Sequence, residues 1–355
     1  MSKKLLLGLP TLISQMLVAS KNWIYDNSSL QSTILSIPIV SIGNLSFGGT
    51  GKTAVADYLI SMFNSYGHSV GVISRGYGGT YKGLVQVDLE EPCSLYGDEP
   101  YMLKSKYPST KVVLCKDRQR AYLELIKDKK ISLAIADDAF QHRKMGRTLD
   151  IVIIDAMEDL KNYYLFPKGR LREPVSSLKR AEIVIINKFN LVESHEKMAL
   201  ITLLREKLPQ SVLDKLSFFI GYYVINRIQY LGQNLSIKDR IDDFILVSGL
   251  GNPHAFSKSI SKITDFKFEH LVFTDHHDYT QGDVDLILKK SDYLGVNKIL
   301  TTEKDFVKLN KFESIRHRIY VTKLEFEIEK QQQSIHHINF QGRDKFHEIL
   351  NRLIF

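Results

Sequence analysis

Residues 37–63 read IPIVSIGNLSFGGTGKTAVADYLISMF, an apolar β-branched run, a glycine-rich loop and then apolar residues at helical spacing. The run before the loop predicts a buried strand, and the apolar stripe over 53–65 predicts an amphipathic helix that Gly67 can end. Glycines at such a junction let backbone N–H groups surround a phosphate at the positive end of a helix. The residues predicted to hold a nucleotide are Ser46, Phe47, Gly48, Gly49, Thr50, Gly51, Lys52 and Thr53.

Two side chains of this loop have defined tasks in nucleotide sites. Lys52 can reach the β and γ phosphates of ATP, and the Thr53 hydroxyl can bind Mg²⁺. Ser46 stands where the generic pattern has glycine, which is a departure from the strict motif. The alternative to nucleotide binding is an ordinary glycine-rich turn between a strand and a helix.

Further apolar runs predict that the first strand belongs to a parallel α/β sheet. They are SVGVISRG (69–76), KVVLC (111–115), ISLAIADD (131–138), DIVIIDA (150–156) and EIVIINK (182–188). Continuous apolar runs are typical of strands buried on both faces, and helical stretches lie between several of them. The predicted fold is P-loop NTPase-like, a mostly parallel sheet with helices on both faces.

Acidic residues follow two of these strands and predict a magnesium site at the carboxyl edge of the sheet. Asp137 and Asp138 end one strand and Asp155 ends another, and Mg²⁺ prefers such hard oxygen ligands. The sequence leaves open which of the three acids contacts the metal. The segment NKFN (187–190) lacks the carboxylate that reads guanine in GTPases, so GTP is disfavoured and the end of a core strand is the simpler interpretation.

The composition limits the class of protein, the number of domains and the kinds of partner. A net charge of +8 over 355 residues with 44% apolar residues is typical of a folded chain of about two domains, and it favours an anionic partner without naming one. Cys93 and Cys115 belong to no zinc-binding pattern, and no aromatic-basic module predicts nucleic-acid binding. After about residue 228 the strand-helix alternation resumes. We therefore predict a domain over 1–228 and a smaller α/β domain over 229–355.

The amino terminus, about residues 1–25, predicts an amphipathic helix at a membrane interface. Leu12, Ile13, Met16 and Leu17 fall at helical spacing, and Lys21, Trp23 and Tyr25 could sit at headgroup level. No clean run of about 20 apolar residues is present. Two alternatives stay open. One is a signal peptide with Lys3 and Lys4 as its n-region and Leu5 to Ala19 as its h-region, and the other is a surface helix docked on the protein's own core.

In combination and order, the motifs resemble those of the tetraacyldisaccharide 4′-kinase family, lipid A pathway enzymes of Gram-negative bacteria. The shared segments are GNLSFGGTGKT, SRGYGG (74–79), GDEP (97–100), DDAFQHR (137–143), LREP (171–174), SGLGNP (248–253), DHH (275–277) and TTEKD (301–305). The family also has a hydroxyl residue at the position of Ser46. This chain departs from the family at Ala139, where glycine is usual, and at 167–170.

The resemblance implies transfer of the γ-phosphoryl group of ATP to the 4′-hydroxyl of a lipid A disaccharide 1-phosphate. The enzyme would act as a peripheral protein at the cytoplasmic face of the bacterial inner membrane. Asp98 matches the family's proposed base, and His276 matches the partner that orients it or shares the proton. The two are expected to come from different domains, the smaller one contributing to the cleft. Glu173 would join Thr53 and Asp138 at the metal. Substrate contacts are expected from Asn44, Arg75, Arg118 and His142.

Two other functions fit the sequence less well. One is a membrane-peripheral P-loop ATPase that switches a protein partner. The other is a P-loop kinase for a soluble metabolite, against which the apolar amino terminus argues.

Overall fold

The computed structural model describes residues 8–27, 35–235 and 242–354. These residues form two compact units, and neither unit is a continuous stretch of the chain. The first unit comprises Met1–Arg75, Cys115–Tyr222 and Ile328–Phe355 as far as they are described, and the second comprises Gly76–Leu114 and Tyr223–Glu327.

This division differs from the predicted continuous domains 1–228 and 229–355 in two segments. Residues 76–114 belong to the second unit, where Asp98 forms an ion pair with Lys308. Residues 328–355 return to the first unit, where Phe340 pairs with Phe218 in a sheet. Both segments join partners that are distant along the chain, so a boundary at one residue could not describe them.

The strands are β1 (Ile39–Asn44), β2 (Val70–Ser74), β3 (Leu84–Gln86), β4 (Lys111–Cys115), β5 (Leu133–Asp137), β6 (Leu149–Asp155), β7 (Ile183–Asn187), β8 (Ser217–Tyr230), β9 (Gln233–Leu235), β10 (Phe244–Ser248), β11 (His270–Val272), β12 (Lys298–Thr302), β13 (Ile319–Ile328), β14 (Gln333–Ile335) and β15 (Ile338–Gln341). All six strands that we predicted from apolar runs are present.

The helices are α1 (Gly8–Asn27), α2 (Lys52–Ser65), α3 (Cys93–Tyr96), α4 (Asp98–Lys106), α5 (Arg118–Leu125), α6 (Ser194–Lys207), α7 (Gln210–Leu213), α8 (Pro253–Ile260), α9 (Gln281–Tyr293), α10 (Glu303–Leu309), α11 (Glu313–Arg316) and α12 (Arg343–Ile354). Short 3₁₀ turns span Leu160–Asn162, Val175–Arg180 and Phe189–Leu191.

The first unit is built on a parallel sheet in the order β2-β5-β1-β6-β7-β8. Every residue of β1, β2, β5, β6 and β7 is buried, as the continuous apolar runs predicted. Because β1 lies between β5 and β6, the loop that follows β1 opens beside the acidic ends of both neighbours. The predicted mostly parallel α/β fold is confirmed.

The second unit contains a smaller parallel sheet in the order β11-β10-β12-β13. The second half of β8 turns back antiparallel to β9 through Leu231 and Gly232, whose φ angles of 46° and 80° are those of a tight two-residue hairpin. Strands β8 and β9 therefore form a hairpin, and residues 236–241 after it lie outside the described part. The predicted smaller α/β domain corresponds to this sheet and its helices.

Helix α1 packs on the first unit through one side and exposes the opposite one. The packed side carries Thr11, Ser14, Val18, Asn22 and Tyr25, spaced by three or four residues. The exposed side carries the large apolar residues Leu12, Met16, Leu17, Trp23 and Ile24. A helix docked on its own core would show the reverse arrangement. Lys3, Lys4, Leu5 and the Ile13 side chain, which the predictions used, lie outside the described residues.

Polar contacts hold the second half of α1. The Arg143 guanidinium pairs with Asp26 at 2.6 Å and lies 5.1 Å from the centre of the Tyr25 ring, and Lys21 donates to the Gln141 carbonyl at 3.2 Å. Lys21 and Tyr25 thus contact the protein, whereas Trp23 is exposed. Among the described residues, no helix is both long enough and apolar enough to cross a bilayer.

Candidate active site

The glycine-rich loop occupies residues 45–51, between the end of β1 at Asn44 and the start of α2 at Lys52. Gly48 and Gly51 have φ angles of 116° and 93°, which L side chains rarely adopt. The N-cap residue of α2 is Gly51, which has no side chain with which to cap the first turn. The N–H groups at this helix end are therefore suited to an anion, as the motif predicted.

Two residues at the end of β7 donate hydrogen bonds to carbonyls of the glycine-rich loop. Asn187 Nδ2 donates to the Thr50 carbonyl at 2.9 Å, and the buried Lys188 Nζ donates to the Gly49 carbonyl at 2.8 Å. Lys188 also forms an ion pair with Asp155 at 2.5 Å. The segment NKFN is the end of a core strand, as expected, but it additionally fixes the carbonyls of the loop.

The departure from the family at 167–170 contacts the same loop. The Phe47 N–H donates to the Arg170 carbonyl at 2.8 Å. A Cβ atom added to Gly48 would lie 2.5 Å from the Arg170 guanidinium, so this glycine leaves room for that side chain. Arg170 thereby places an additional positive charge next to the loop.

Asp138 is the acid that lies beside Lys52. Its Oδ1 is 3.4 Å from Lys52 Nζ, and the Arg172 guanidinium binds both carboxylate oxygens, at 2.8 and 3.1 Å. Burial raises the pKa of Asp138, but the hydrogen bonds from Arg172 and the charge of Lys52 outweigh it and hold the pKa well below its ordinary value. Asp138 is therefore a carboxylate at any physiological pH.

The two other candidate acids have different partners. Asp155 accepts from Lys188, the lysine that also holds the Gly49 carbonyl of the loop. Asp137 Oδ2 accepts from Ser74 at 3.3 Å, and its carbonyl accepts from Arg118 at 3.0 Å. Of the three acids that the sequence left open, Asp138 is in contact with Lys52 of the glycine-rich loop.

Arg172 was missing from the predicted site, although it lies inside the motif LREP. Besides Asp138, its guanidinium donates to Asn44 Oδ1 at the end of β1. Asn44 Nδ2 in turn donates to the Thr50 hydroxyl at 3.1 Å, and the Asn44 carbonyl accepts from Gln141 at 2.9 Å. Asn44 therefore connects the loop to the segment FQHR.

Glu173 has partners that differ from those of Asp138. Its carboxylate is buried, with Arg180 at 2.8 Å and Asn22 of α1 at 3.5 Å. Backbone bonds from Arg172 and Glu173 to the Leu45 carbonyl, at 2.6 and 3.4 Å, keep the residue next to the loop.

Two of the residues predicted to hold Mg²⁺ carry oxygen atoms of the kind this ion prefers. Thr53 has a hydroxyl in the first turn of α2 and Asp138 has a carboxylate beside Lys52, whereas the Glu173 carboxylate is bound by Arg180. Mg²⁺ is usually held by one or two carboxylates together with waters and phosphates. Within the described residues, no three His, Cys, Asp or Glu side chains form a metal-binding group.

Three of the candidate substrate residues, Arg75, Arg118 and His142, are close enough for the two arginine charges to act on the histidine. Arg118 is buried and donates to the Cys115 and Asp137 carbonyls at 3.1 and 3.0 Å. Burial lowers the pKa of His142 to about 4, and the charges of Arg118 and Arg75 contribute to this shift. His142 is consequently neutral at physiological pH, whereas Arg75 is exposed and charged.

Asp98 and His276 form a pair within the second unit. His276 Nδ1 lies 3.0 Å from Asp98 Oδ2, and Lys308 Nζ lies 2.7 Å from the same oxygen. Burial raises the pKa of Asp98, but the hydrogen bonds from His276 and Lys308 prevail and lower it. The expectation that the two residues come from different domains differs from the structure, since residues 76–114 belong to the unit that also contains His276.

Three of the segments shared with the family meet at this pair. Asp98 is the first residue of α4, and a Cβ atom on the preceding Gly97 would lie 2.4 Å from the Tyr77 carbonyl. The Tyr77 ring centre is 5.5 Å from that of His276. Residues of SRGYGG, GDEP and DHH are therefore in contact, although almost 180 positions separate Asp98 from His276.

A fourth and a fifth motif are joined by a buried acid. Asp305 of TTEKD accepts from the Gly249 N–H at 3.0 Å, from the Tyr279 hydroxyl at 3.0 Å and from the Thr302 hydroxyl at 2.7 Å. Burial raises the pKa of Asp305. Its role is to fix the loop SGLGNP against α10.

Comparisons with known proteins agree with the resemblance of the motifs. A family model described as tetraacyldisaccharide-1-P 4′-kinase matches residues 3–340. A tetraacyldisaccharide 4′-kinase of Bdellovibrio bacteriovorus is 35% identical over 326 residues, which cover 87% of this chain and 90% of that protein. A protein of the same name from Flavobacterium johnsoniae is 30% identical over 309 residues, covering 86% and 87% of the two chains. The crystal structure of LpxK from Aquifex aeolicus, solved in complex with ATP, shares the fold with a TM-score of 0.70 at 24% identity, over 98% of both chains.

Proposed function

This chain belongs to the tetraacyldisaccharide-1-P 4′-kinase family, and we propose that it transfers the γ-phosphoryl group of ATP to the 4′-hydroxyl of a tetraacyldisaccharide 1-phosphate with the residues described above. Kinase activity, ATP binding and a place in lipid A biosynthesis accompany membership of this family. The observation that carries the assignment of residues is the contact of Lys52 with Asp138 at the end of the glycine-rich loop.

The loop side of the reaction requires positive charge around the phosphates. In a loose phosphoryl-transfer transition state, catalysis depends mainly on placement and on charge stabilisation. The N–H groups at the start of α2, Lys52 and Arg172 supply positive charge next to the loop. Thr53 and Asp138, with Glu173 as a further candidate, would hold Mg²⁺, which neutralises phosphate charge when bound.

The acceptor side requires a group that takes the hydroxyl proton. Asp98 is ionised because its pKa is lowered, and His276 orients its carboxylate. A carboxylate is a weak base, but the proton leaves late in a loose transition state, so position matters more than basicity. We assign Asp98 as the base and His276 as its partner.

The anionic 1-phosphate of the acceptor requires cationic contacts. Arg75 is exposed and can reach a ligand directly, whereas Arg118 is anchored by two carbonyls and presents a fixed positive charge. The neutral His142 offers hydrogen bonds to sugar oxygens. Asn44 is fully buried and bonded to Thr50 and Arg172, so it would act on the substrate by fixing those two residues. These four residues remain our candidates for substrate binding.

A labelling experiment tests the proposed function. With γ-labelled ATP and a disaccharide 1-phosphate acceptor, we expect the label on the 4′-oxygen of the product, located by mass spectrometry and NMR. ATP hydrolysis that does not depend on the glycolipid would favour the ATPase switch instead. Label on a soluble sugar or nucleoside, with none on the glycolipid, would favour the soluble-metabolite kinase.

We further propose that α1 attaches the enzyme to the cytoplasmic face of the inner membrane as a peripheral protein. The exposed side of α1 is apolar while its packed side is held by polar contacts, which suits a helix that lies in a lipid interface. Acylated substrates reside in that interface. A single such helix gives reversible attachment.

The apolar side of α1 predicts a vesicle-binding defect. In the double variant Leu17→Glu, Trp23→Glu, both carboxylates replace side chains that are about two-thirds exposed, so the fold should persist while sedimentation with anionic vesicles falls severalfold. The control is Gln15→Glu, which adds one negative charge, half that of the double variant, at an exposed position off the apolar stripe. Unchanged sedimentation of the double variant would contradict the membrane role of α1.

A further inference from the structure

Two lysines of α10 surround the Asp98–His276 pair, and the proposed function assigns neither of them. Lys304 and Lys308 are four residues apart, so they share one face of the helix. Both side chains are largely buried, and both direct their ammonium groups to the pair. Asp305, on a different face, is bound to Gly249 and Tyr279.

We propose that Lys304 and Lys308 are positioning residues that fix the protons of the Asp98–His276 pair and leave Oδ1 of Asp98 to receive the proton of the acceptor hydroxyl. This inference rests on the proposed function, because it takes Asp98 as the base.

Oδ2 of Asp98 is already occupied. It accepts from His276 Nδ1 at 3.0 Å and from Lys308 Nζ at 2.7 Å, and Lys304 Nζ lies 4.0 Å away. Two close donors use the two lone pairs of that oxygen. Lys308 also donates to the His277 carbonyl at 3.0 Å, which ties the DHH loop to Asp98.

Oδ1 has a much weaker partner. It faces the Cys93 thiol at 3.8 Å, and a thiol is a weak donor that a sugar hydroxyl can displace. In the reaction, the acceptor oxygen forms its bond to the γ phosphorus as the bond from that phosphorus to ADP breaks. The hydroxyl proton passes to Oδ1, which makes Asp98 a neutral acid until it releases the proton to solvent.

Lys304 determines which nitrogen of His276 carries the hydrogen. Its ammonium lies 3.4 Å from Nε2 and can only donate, so Nε2 accepts and Nδ1 is the N–H that donates to Asp98. The Asp275 carboxylate lies 3.8 Å from Nε2, but it is closer to Lys304, at 3.3 Å. His276 thereby orients the Asp98 carboxylate through the hydrogen on Nδ1.

Lys308 also sets the pH range in which the base works. The groups that face Asp98 are His276, Lys304, Lys308 and Cys93, with Asp275 and Tyr279 behind them. The lysine charges lower the pKa of Asp98, and activity is lost as the pH falls through that pKa because the base becomes protonated. Removal of the Lys308 charge should therefore move the acidic limb of kcat/KM to higher pH.

The test is the pH profile of Lys308→Met, Lys308→Arg and Lys311→Met in the full-length enzyme. We expect the acidic limb to move to higher pH in Lys308→Met and to return toward the wild-type position in Lys308→Arg. Lys311→Met is the matched control, since the described contacts of Lys311 are an ion pair with the exposed Asp278 and the ring of Phe312, and its profile should not change. Thermal unfolding of each variant shows whether it is folded.

Two outcomes would overturn the inference. One is a folded Lys308→Met enzyme with the wild-type pH profile, and if that variant does not fold, the same profile in Lys308→Gln has the same meaning. The other is a hydrogen on Nε2 of His276 in the imidazole ¹⁵N spectrum of the wild-type protein. After either result, the variant Asp98→Asn tests whether Asp98 is the base. Full activity of that variant would contradict the assignment of Asp98, whereas loss of activity would support Asp98 as the base without a role for the two lysines.

Discussion

Replacement of Lys52 by alanine is expected to abolish phosphoryl transfer while the chain stays folded. Lys52 is the first residue of α2 and the cation of the glycine-rich loop. Loss of one preorganised donor at a developing negative charge typically lowers kcat by about 10²–10³-fold. Because Lys52 also neutralises ATP in the ground state, we expect the affinity for ATP to fall as well.

Stability should change little in this variant, and the surroundings of Asp138 give the reason. Asp138 keeps both hydrogen bonds to Arg172, so no carboxylate is left without a cation. A lysine at the positive end of a helix is also mildly unfavourable, and alanine relieves that repulsion.

Turnover, ATP binding and thermal unfolding should be measured in Lys52→Ala beside a matched variant. Lys127→Ala removes a lysine of the first unit that is 70% exposed and pairs with Glu124. It should leave kinase activity unchanged and cost about 0.5 kcal/mol or less in stability. Near-normal turnover in a folded Lys52→Ala enzyme would show that the glycine-rich loop does not hold the nucleotide.

The loop could be predicted from sequence because all of its determinants are contiguous. Strand β1, the glycines and helix α2 follow one another over 39–65, and each has a local signal. The acidic strand ends could be predicted for the same reason. The choice among them could not, since it depends on Lys188 lying against Asp155 and on Arg172 lying against Asp138, 34 positions away.

The second cluster illustrates the opposite situation. GDEP, DHH and TTEKD carry no local signal for chemistry, and only their order along the chain, matched to a family, selected Asp98 and His276. The four-residue spacing of Lys304 and Lys308 does predict a shared helix face. The contacts of that face could not be predicted, because they form only when residues 76–114 pack with residues 223–327 in the second unit.

Helix α1 marks a third limit of sequence analysis. Its apolar stripe was visible as a periodicity, but periodicity does not say whether the stripe faces the protein or the exterior. The answer comes from Asn22 and Asp26, whose partners Arg143 and Lys179 lie more than 100 positions away. Those contacts turn the apolar side outward.

Asp98→Asn is expected to lower kcat by about 10²–10³-fold while the KM for ATP stays near the wild-type value. The amide keeps the shape of the carboxylate, but it cannot take up the hydroxyl proton. Lys308 loses its ionic partner, so thermal unfolding should be measured to separate misfolding from a chemical defect. The matched control is Asp278→Asn, which neutralises an exposed aspartate of the same unit and should retain full turnover. A folded Asp98→Asn enzyme with normal kcat, or one that loses only ATP affinity, would contradict the role of Asp98 at the acceptor hydroxyl.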